Sequence, residues 1–297
     1  MATEAEILAR VKAGAAQPAR SIEEMRGWIE KNARAINAVP PEIGAMHDDV
    51  ALRPGLTADI AVPKGDGPFP VTIYLHGGGW VGGSNKSHRK LGMQFAEAGY
   101  LTINLNYRLA PEHPFPAGLD DCLFACKWAA QNARRFGGDP SRMAIGGDSA
   151  GGNLAAATIV ALDEDHSPLK MRAALLIYGL YDVPAVLERE RKKRVMGLEM
   201  MARAYVPNNY PAGLSSPRVS PLGAIRPGLM PPSFVLCGAD DPLLPESYAI
   251  AEALKGAGTP QELLVVPEMP HGFVQVWMLS AANDALARMF AFMRQHV

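Results

Sequence analysis

The sequence predicts an α/β architecture in which a mainly parallel sheet lies between two layers of helices. Two observations carry that prediction. Runs that are apolar at every position, such as A-A-L-L-I-Y at 173–178, suit strands covered on both faces, because a half-solvated strand alternates apolar and polar side chains. These runs recur with helix-length segments between them, and a parallel sheet requires that succession because each crossover consumes a dozen or more residues.

The elements follow in order. The first 40 residues read as helix, with one apolar stripe at Ile7, Leu8 and Val11 and a second at Ile22, Met25, Trp28 and Ile29. Pro40-Pro41 ends that region. From Val50 onward, short apolar strands are expected at 57–62, 71–76, 101–106, 143–147, 173–178, 233–237 and 262–266. Helices are expected at 90–97, 119–135, 151–162, 246–257 and 281–294. Between Asp182 and Pro227 the rhythm breaks: 183–205 reads as helix, and 207–217 is punctuated by Pro and Gly. An insertion of that length after a strand, paired with the N-terminal helices, is expected to roof the sheet edge where a substrate enters.

Bulk properties narrow the function. A chain of 297 residues buries roughly 75% of its unfolded surface and needs no disulfides to be stable. With 29 basic and 30 acidic residues, nothing attracts a phosphate backbone or an anionic lipid surface, so nucleic acid is not an expected partner. The basic run Arg189 to Arg194 is interleaved with Glu188 and Glu190 and reads as a solvated helix face. Cys122, Cys126 and Cys237 make no disulfide framework, and the first two sit four apart among small apolar neighbours, as packing residues do. No zinc-like spacing accompanies them, so no metal is expected. Glu4, Glu6, Arg10 and Lys12 interrupt the N-terminus, and no run approaches 18 apolar residues. Neither a secretory signal nor a membrane span is expected, and a reducing cytoplasm is the expected location.

Chemistry concentrates in four places. G-D-S-A-G at 147–151 matches G-x-S-x-G, in which a serine stands on a tight strand-to-helix turn and the flanking glycines avoid collisions across it. An incidental Ser on a Gly-rich turn is the bland alternative, but an apolar strand precedes Ser149 and a helical run follows it. H-G-G-G-W at 76–80 follows another strand. Three consecutive glycines allow several N–H groups to point one way, and those of Gly78 and Gly79, with that of Ala150, form a candidate oxyanion site worth about 2.7–4 kcal/mol per donor. Phosphate binding is the competing use of such a loop. No Walker pattern and no helix-opening G-x-G-x-x-G with an acidic residue downstream supports it. His76 reads as a brace for the loop rather than as a base.

A serine hydroxyl needs a base, and in a strand–turn–helix context of this type the acid and the histidine follow the serine in that order. After the strand at 233–237 comes G-A-D-D-P-L, and after the strand at 262–266 comes M-P-H-G-F. His271 therefore has the right order and loop position, whereas His47, His113, His166 and His296 do not. Asp240 and Asp241 both remain candidates for the acid, with the restricted backbone before Pro242 favouring Asp241.

These motifs, together with Y-R-L-A-P-E-H-P-F-P-A at 107–117, resemble the hormone-sensitive lipase family, the bacterial family IV esterases in their GDSAG branch. The resemblance covers most of the chain from about residue 55 onward. It implies the α/β-hydrolase fold, with a core at 46–183 and 226–297 and a helical cap from 1–45 and 184–225. It implies Ser149 as nucleophile, Asp241 rather than Asp240 as acid, His271 as base, and Gly78, Gly79 and Ala150 as the oxyanion hole. Pro245 followed by Glu246 departs from a family pattern that often carries an acidic residue at the former position. Arg108 and Glu112 are expected to pair with each other or with Asp121 as scaffold. Met196, Leu198, Met200, Met201 and Tyr205 are expected either to line an adaptable pocket or to glue the cap to the core. The expected activity is cofactor-free hydrolysis of small to medium-chain carboxylic esters through an acyl-enzyme. The alternatives are an amidase, formamidase or lactonase on the same residues, or a ligand-binding relative without catalysis. A homodimer is also an expectation.

Overall fold

Chain alternation between apolar strands and helices builds one eight-stranded sheet in the computed structural model, which describes residues 2–15, 19–193 and 197–297. The strands are β1 (Ala45–Arg53), β2 (Leu56–Val62), β3 (Phe69–Leu75), β4 (Leu101–Asn106), β5 (Gly138–Asp148), β6 (Ala173–Ile177), β7 (Ser233–Gly238) and β8 (Gln261–Val266). Their order across the sheet is β1-β2-β4-β3-β5-β6-β7-β8. From β4 to β8 in that order every pairing is parallel, while β2 pairs antiparallel with both β1 and β4. Every residue of β6 is buried, as a strand covered on both faces demands.

Helices α1 (Glu4–Ala15) and α2 (Ile22–Ile36) precede the sheet. The crossovers carry α3 (Arg89–Glu97), α4 (Ala117–Asn132) and α5 (Ala150–Glu164). Then α6 (Val183–Lys193) and α7 (Leu198–Tyr205) stand between β6 and β7, followed by α8 (Leu244–Gly256) and α9 (Ser280–His296). Two apolar clusters fill the two sides of the sheet. Ile73, Leu105, Leu154 and Leu176 belong to one, and Tyr74, Phe95, Phe273 and Met289 to the other, all of them fully or almost fully buried. Burying each such side chain contributes roughly 1.5–3 kcal/mol. Cys122 and Cys126 lie inside the first cluster as small packing residues.

Several expectations are corrected. β1 is missed by the sequence reading because it is an edge strand with His47, Asp48 and Asp49 along it and only Leu52 buried, so no apolar run marks it. Its pairing with β2 shifts register between His47 and Val50, where Asp49 takes φ 49°. The helix expected over 183–205 is two helices, with 194–196 outside the described residues. Trp28 is 55% exposed and leaves the stripe of α2, whereas Ile22 and Met25 pack against the core. The basic run is not wholly a solvated face: Arg189 pairs with the buried Glu246, Arg191 and Lys192 pair with Glu199 and Glu188, and Arg194 lies outside the described residues. Arg108 does bind Asp121, at 2.9 Å, but Glu112 pairs instead with Arg26 of α2.

Candidate active site

Parallel strands place their carboxyl ends along one edge, and in open α/β sheets ligands bind beyond that edge. The segments leaving β3, β5, β7 and β8 there carry the oxyanion-loop glycines, Ser149, Asp241 and His271. Residues far apart along the chain thus converge because their strands are parallel and lie close together in the sheet.

Ser149 occupies a sharp turn at φ 55°, ψ −119°, between β5 and α5, and its N–H donates to Ile177 O at 2.9 Å. A β-carbon on Gly147 or on Gly151 would run into the carbonyl oxygen of Leu75 at the end of β3. Glycine at both positions is therefore what allows the turn to sit against the neighbouring strand. Ala150 is the first residue of α5, where a helix leaves its N–H groups without intrahelical acceptors.

His271 bridges the other two side chains. Its Nδ1 lies 2.8 Å from Asp241 Oδ2, and its Nε2 lies 2.9 Å from Ser149 Oγ. The Asp241 side chain is fully buried and its Oδ1 accepts from Leu243 N at 2.8 Å, which fixes the carboxylate plane. The acid and base loops are locked together: Ala239 N donates to Val266 O and Asp240 N to Met269 O, and a β-carbon on Gly238 would strike Met269 O. Asp240 points away and pairs with Lys12 of α1 at 2.8 Å, so of the two neighbouring aspartates it is Asp241 that meets the imidazole. Burial pushes the His271 imidazole down, but the Asp241 carboxylate outweighs it by charge and hydrogen bond, with a further contribution from Asp148, and the net direction is upward from 6.5.

The glycine loop is oriented by its carbonyls. Gly77 O lies 2.9 Å from His76 Nδ1, and Gly78 O accepts from Val81 N at 3.1 Å and Gly82 N at 2.9 Å. In a trans peptide the N–H opposes the C=O, so tying back those two carbonyls turns the N–H groups of Gly78 and Gly79 the other way. Gly78 and Gly79 take φ 128° and 59°, conformations that favour glycine. His76 is buried, stacks on Tyr107 at 4.2 Å, and has its pKa lowered to about 3, chiefly by burial and then by His88. A neutral ring that braces the loop matches the reading of His76 as structural.

Over Gly79 stand two thioethers: its β-carbon position would overlap Met201 Sδ of α7 and lie 3.4 Å from Met25 Cε of α2. Leu198, Met201 and Tyr205 are buried and Met200 partly so, while Met196 lies outside the described residues. Tyr205 stacks on Trp80 at 4.8 Å with rings nearly parallel, so it holds α7 to the core, whereas Met201 reaches the loop itself. Glu246 accepts from the N–H groups of Tyr181 and Asp182 at 2.8 and 2.7 Å, so this buried carboxylate anchors the chain entering α6 rather than the histidine loop. Asp148, His88 and Gln275, which the sequence does not single out, form a network beside Ser149 in which Asp148 and His88 are buried and Gln275 partly so. Asp148 Oδ1 accepts from Tyr74 Oη at 2.9 Å and from Gly77 N at 3.1 Å, and its Oδ2 from Gln275 Nε2 at 3.0 Å. The available signal was a charged residue directly after two glycines, at the buried end of a strand, where a carboxylate must find partners.

Comparisons with known proteins bear on the family and the fold. A family model described as alpha/beta hydrolase fold matches residues 72–275. Carboxylesterase NlhH of Mycobacterium tuberculosis is 34% identical over 245 residues, covering 76% of this chain and 74% of that one. Ethyl acetate hydrolase of Pseudomonas putida is 31% identical over 303 residues, covering 96% and 94%. Among solved structures, the hyperthermophilic esterase from Pyrobaculum calidifontis superposes with a TM-score of 0.84 at 29% identity, covering 97% of this chain and 96% of that one. An esterase from the bacterial hormone-sensitive lipase family gives 0.80 at 29%, covering 100% and 99%.

Proposed function

This chain belongs to the α/β-hydrolase family, in its hormone-sensitive lipase branch, and we propose that Ser149, His271 and Asp241 carry out its hydrolysis of carboxylic esters. The relatives are named for ester hydrolysis, so the amidase, formamidase, lactonase and non-catalytic readings are not carried forward.

The observation that carries the residue assignment is the unbroken relay from Asp241 Oδ2 through both ring nitrogens of His271 to Ser149 Oγ, at 2.8 and 2.9 Å. His271 takes the hydroxyl proton as Ser149 Oγ attacks the ester carbonyl carbon, and Asp241 holds the ring in the tautomer with Nδ1–H and offsets the imidazolium charge. The carbonyl oxygen becomes an oxyanion received by the N–H groups of Gly78, Gly79 and Ala150. As the tetrahedral intermediate collapses, His271 protonates the departing alcohol and an acyl-Ser149 remains. Water, deprotonated by the same ring, then attacks the acyl carbon, and the acid leaves as Ser149 recovers its proton.

The acyl group is small to medium in size, a reading supported by Met201 and Met25 standing directly over Gly79. Residues 1–45 and 184–225 act as a cap on a core of 46–183 and 226–297. Support for that division comes from the placement of α6 and α7 between β6 and β7 and from Met25 and Met201, one from each segment, standing over Gly79. A cytoplasmic location is part of the proposal, supported by three buried free thiols. So is a homodimer joined along β8, an edge strand whose half-buried residues and unpaired backbone offer a template; a monomer mass by sedimentation equilibrium removes it.

The test is Ser149→Ala. Its melting temperature stays that of the parent while turnover of a short-chain p-nitrophenyl ester falls by about 10⁶-fold, the scale of losing a serine nucleophile. Retention of more than a tenth of the parental rate ends the assignment.

A further inference from the structure

Asp148 is chemically idle in the ester hydrolysis described above, yet it is a fully buried carboxylate one residue before Ser149. Three donors from three different segments converge on it. Tyr74 Oη of β3 gives 2.9 Å, Gly77 N of the glycine loop gives 3.1 Å, and Gln275 Nε2, four residues after His271, gives 3.0 Å. Gln275 Nε2 also lies 2.7 Å from His88 Nε2. His88 Nδ1 lies 2.8 Å from Ser87 Oγ, which donates to Ser84 O at 2.9 Å, so Ser87 accepts from a protonated Nδ1. The fit around the carboxylate is close enough that a β-carbon on Gly77 would lie 2.5 Å from Asp148 Oδ2.

A carboxylate with this many donors in a dry interior remains ionised, because each N–H or O–H favours the charged form. Burial acts against ionisation here and is outweighed, so the Asp148 pKa is lowered. Its charge therefore persists at the back of the site, and its hydrogen bonds tie together the three segments whose relative positions set the reaction geometry.

We propose that Asp148 is a positioning residue: it locks the nucleophile turn, the oxyanion loop and the histidine loop into one register through Gly77 and Gln275, and its fixed negative charge favours the imidazolium that His271 forms. The inference rests on the assignment of Ser149, His271 and Asp241. The titratable groups facing Asp148 are Tyr74 on β3, His76 and His88 beside the glycine loop, Tyr107 after β4, Tyr178 after β6, and His271. Those facing His271 are Asp241 and Asp148, with the Tyr178 ring edge-on at 4.8 Å.

Two variants separate the two roles. In Asp148→Asn the amide oxygen keeps the Tyr74 and Gly77 bonds, and its NH2 is met by a flipped Gln275 amide, with His88 moving its proton to Nε2. The bonds to Tyr74, Gly77 and Gln275 survive, the Ser87 hydroxyl turns from Ser84 O to His88 Nδ1, and the charge goes. In Gln275→Ala the charge stays and the tie to the histidine loop is cut. Both are measured for melting temperature, for kcat and KM on a short-chain ester, and for the pH dependence of kcat/KM. Asp148→Asn moves the acid limb to lower pH with KM unchanged. Gln275→Ala leaves the acid limb in place and lowers kcat by about tenfold, in the range expected for a small misplacement of the base. An unmoved acid limb in a folded Asp148→Asn overturns the electrostatic role, and parental kcat in Gln275→Ala overturns the positioning role. If Asp148→Asn fails to fold, the Gln275→Ala result decides alone. Turnover that survives Ser149→Ala marks failure of the underlying assignment. Parental behaviour in both variants with Ser149→Ala inactive marks failure of this inference only.

Discussion

Replacing Asp241 by asparagine changes a single group from acceptor to donor, and the structure dictates which one. Leu243 N–H donates to Oδ1 at 2.8 Å, so the amide oxygen of the variant stays on that side and its NH2 takes the place of Oδ2. The NH2 then faces His271 Nδ1 and can only donate to it. The imidazole is forced to carry its proton on Nε2, so it presents N–H rather than a lone pair to Ser149 Oγ. A base in the wrong tautomer cannot accept the hydroxyl proton, and the equivalent change in a serine protease triad costs about 10⁴ in kcat. That corresponds to about 5.4 kcal/mol of barrier. The assay is kcat for a p-nitrophenyl ester, with Asp240→Asn beside it as a control. Asp240 is half-exposed and pairs with Lys12, and exposed pairs of this kind contribute little, so the control changes kcat by less than about twofold. If Asp241→Asn keeps kcat within tenfold of the parent, or if Asp240→Asn loses more than Asp241→Asn, the role given to Asp241 is refuted.

Two further outcomes follow from the same geometry. Burial lowers the His271 pKa, and the Asp241 carboxylate, by charge and hydrogen bond together, raises it further than burial lowers it, so the folded-state value lies above 6.5. Activity needs the neutral ring and falls as pH drops through that value. The stabilising His271–Asp241 ion pair does the opposite, being complete below pH 6.5 and lost as pH rises through the folded-state pKa. A kcat/KM profile with its acid midpoint below pH 6 contradicts this. Gly79→Ala strains a backbone at φ 59° by about 1–2 kcal/mol and pushes its methyl into Met201. kcat/KM falls by about tenfold or more, and the double variant Gly79→Ala/Met201→Ala recovers part of the loss. No recovery in the double variant excludes the thioether contact as a cause.

Legibility in the sequence depended on how local each signal was. Ser149 and His271 could be read because each follows a strand with an apolar run, M-A-I at 143–145 and L-L-V-V at 263–266, and sits in a turn whose residues have a mechanical reason to be there. Their meeting at 2.9 Å required only that β5 and β8 be parallel, which the strand–helix rhythm already implied. Asp240 and Asp241 could not be separated by rhythm, since neighbours in a loop differ only in which way the backbone aims them. In the structure the Leu243 amide holds the Asp241 carboxylate beside His271, and Lys12 holds Asp240 on the other side. β1 escaped notice because an edge strand with one face in water needs no apolar run. The partners of Asp148 were invisible for a different reason: its three donors lie 74, 71 and 127 residues away in sequence, and only folding brings them together. The insertion was visible as a broken rhythm, but Met25 and Met201, which both stand over Gly79, come from segments with no shared sequence pattern.

Hydrolysis by this mechanism requires every acyl group to pass through one hydroxyl. Incubating the enzyme with a fluorophosphonate, which reacts with an activated serine and is not turned over, and then digesting it for peptide mass spectrometry reads that hydroxyl directly. The adduct is expected on the peptide carrying Ser149, at one equivalent per chain, with labelling abolished in His271→Ala. A stoichiometric adduct on any other residue, or inhibition that leaves Ser149 unmodified, contradicts it.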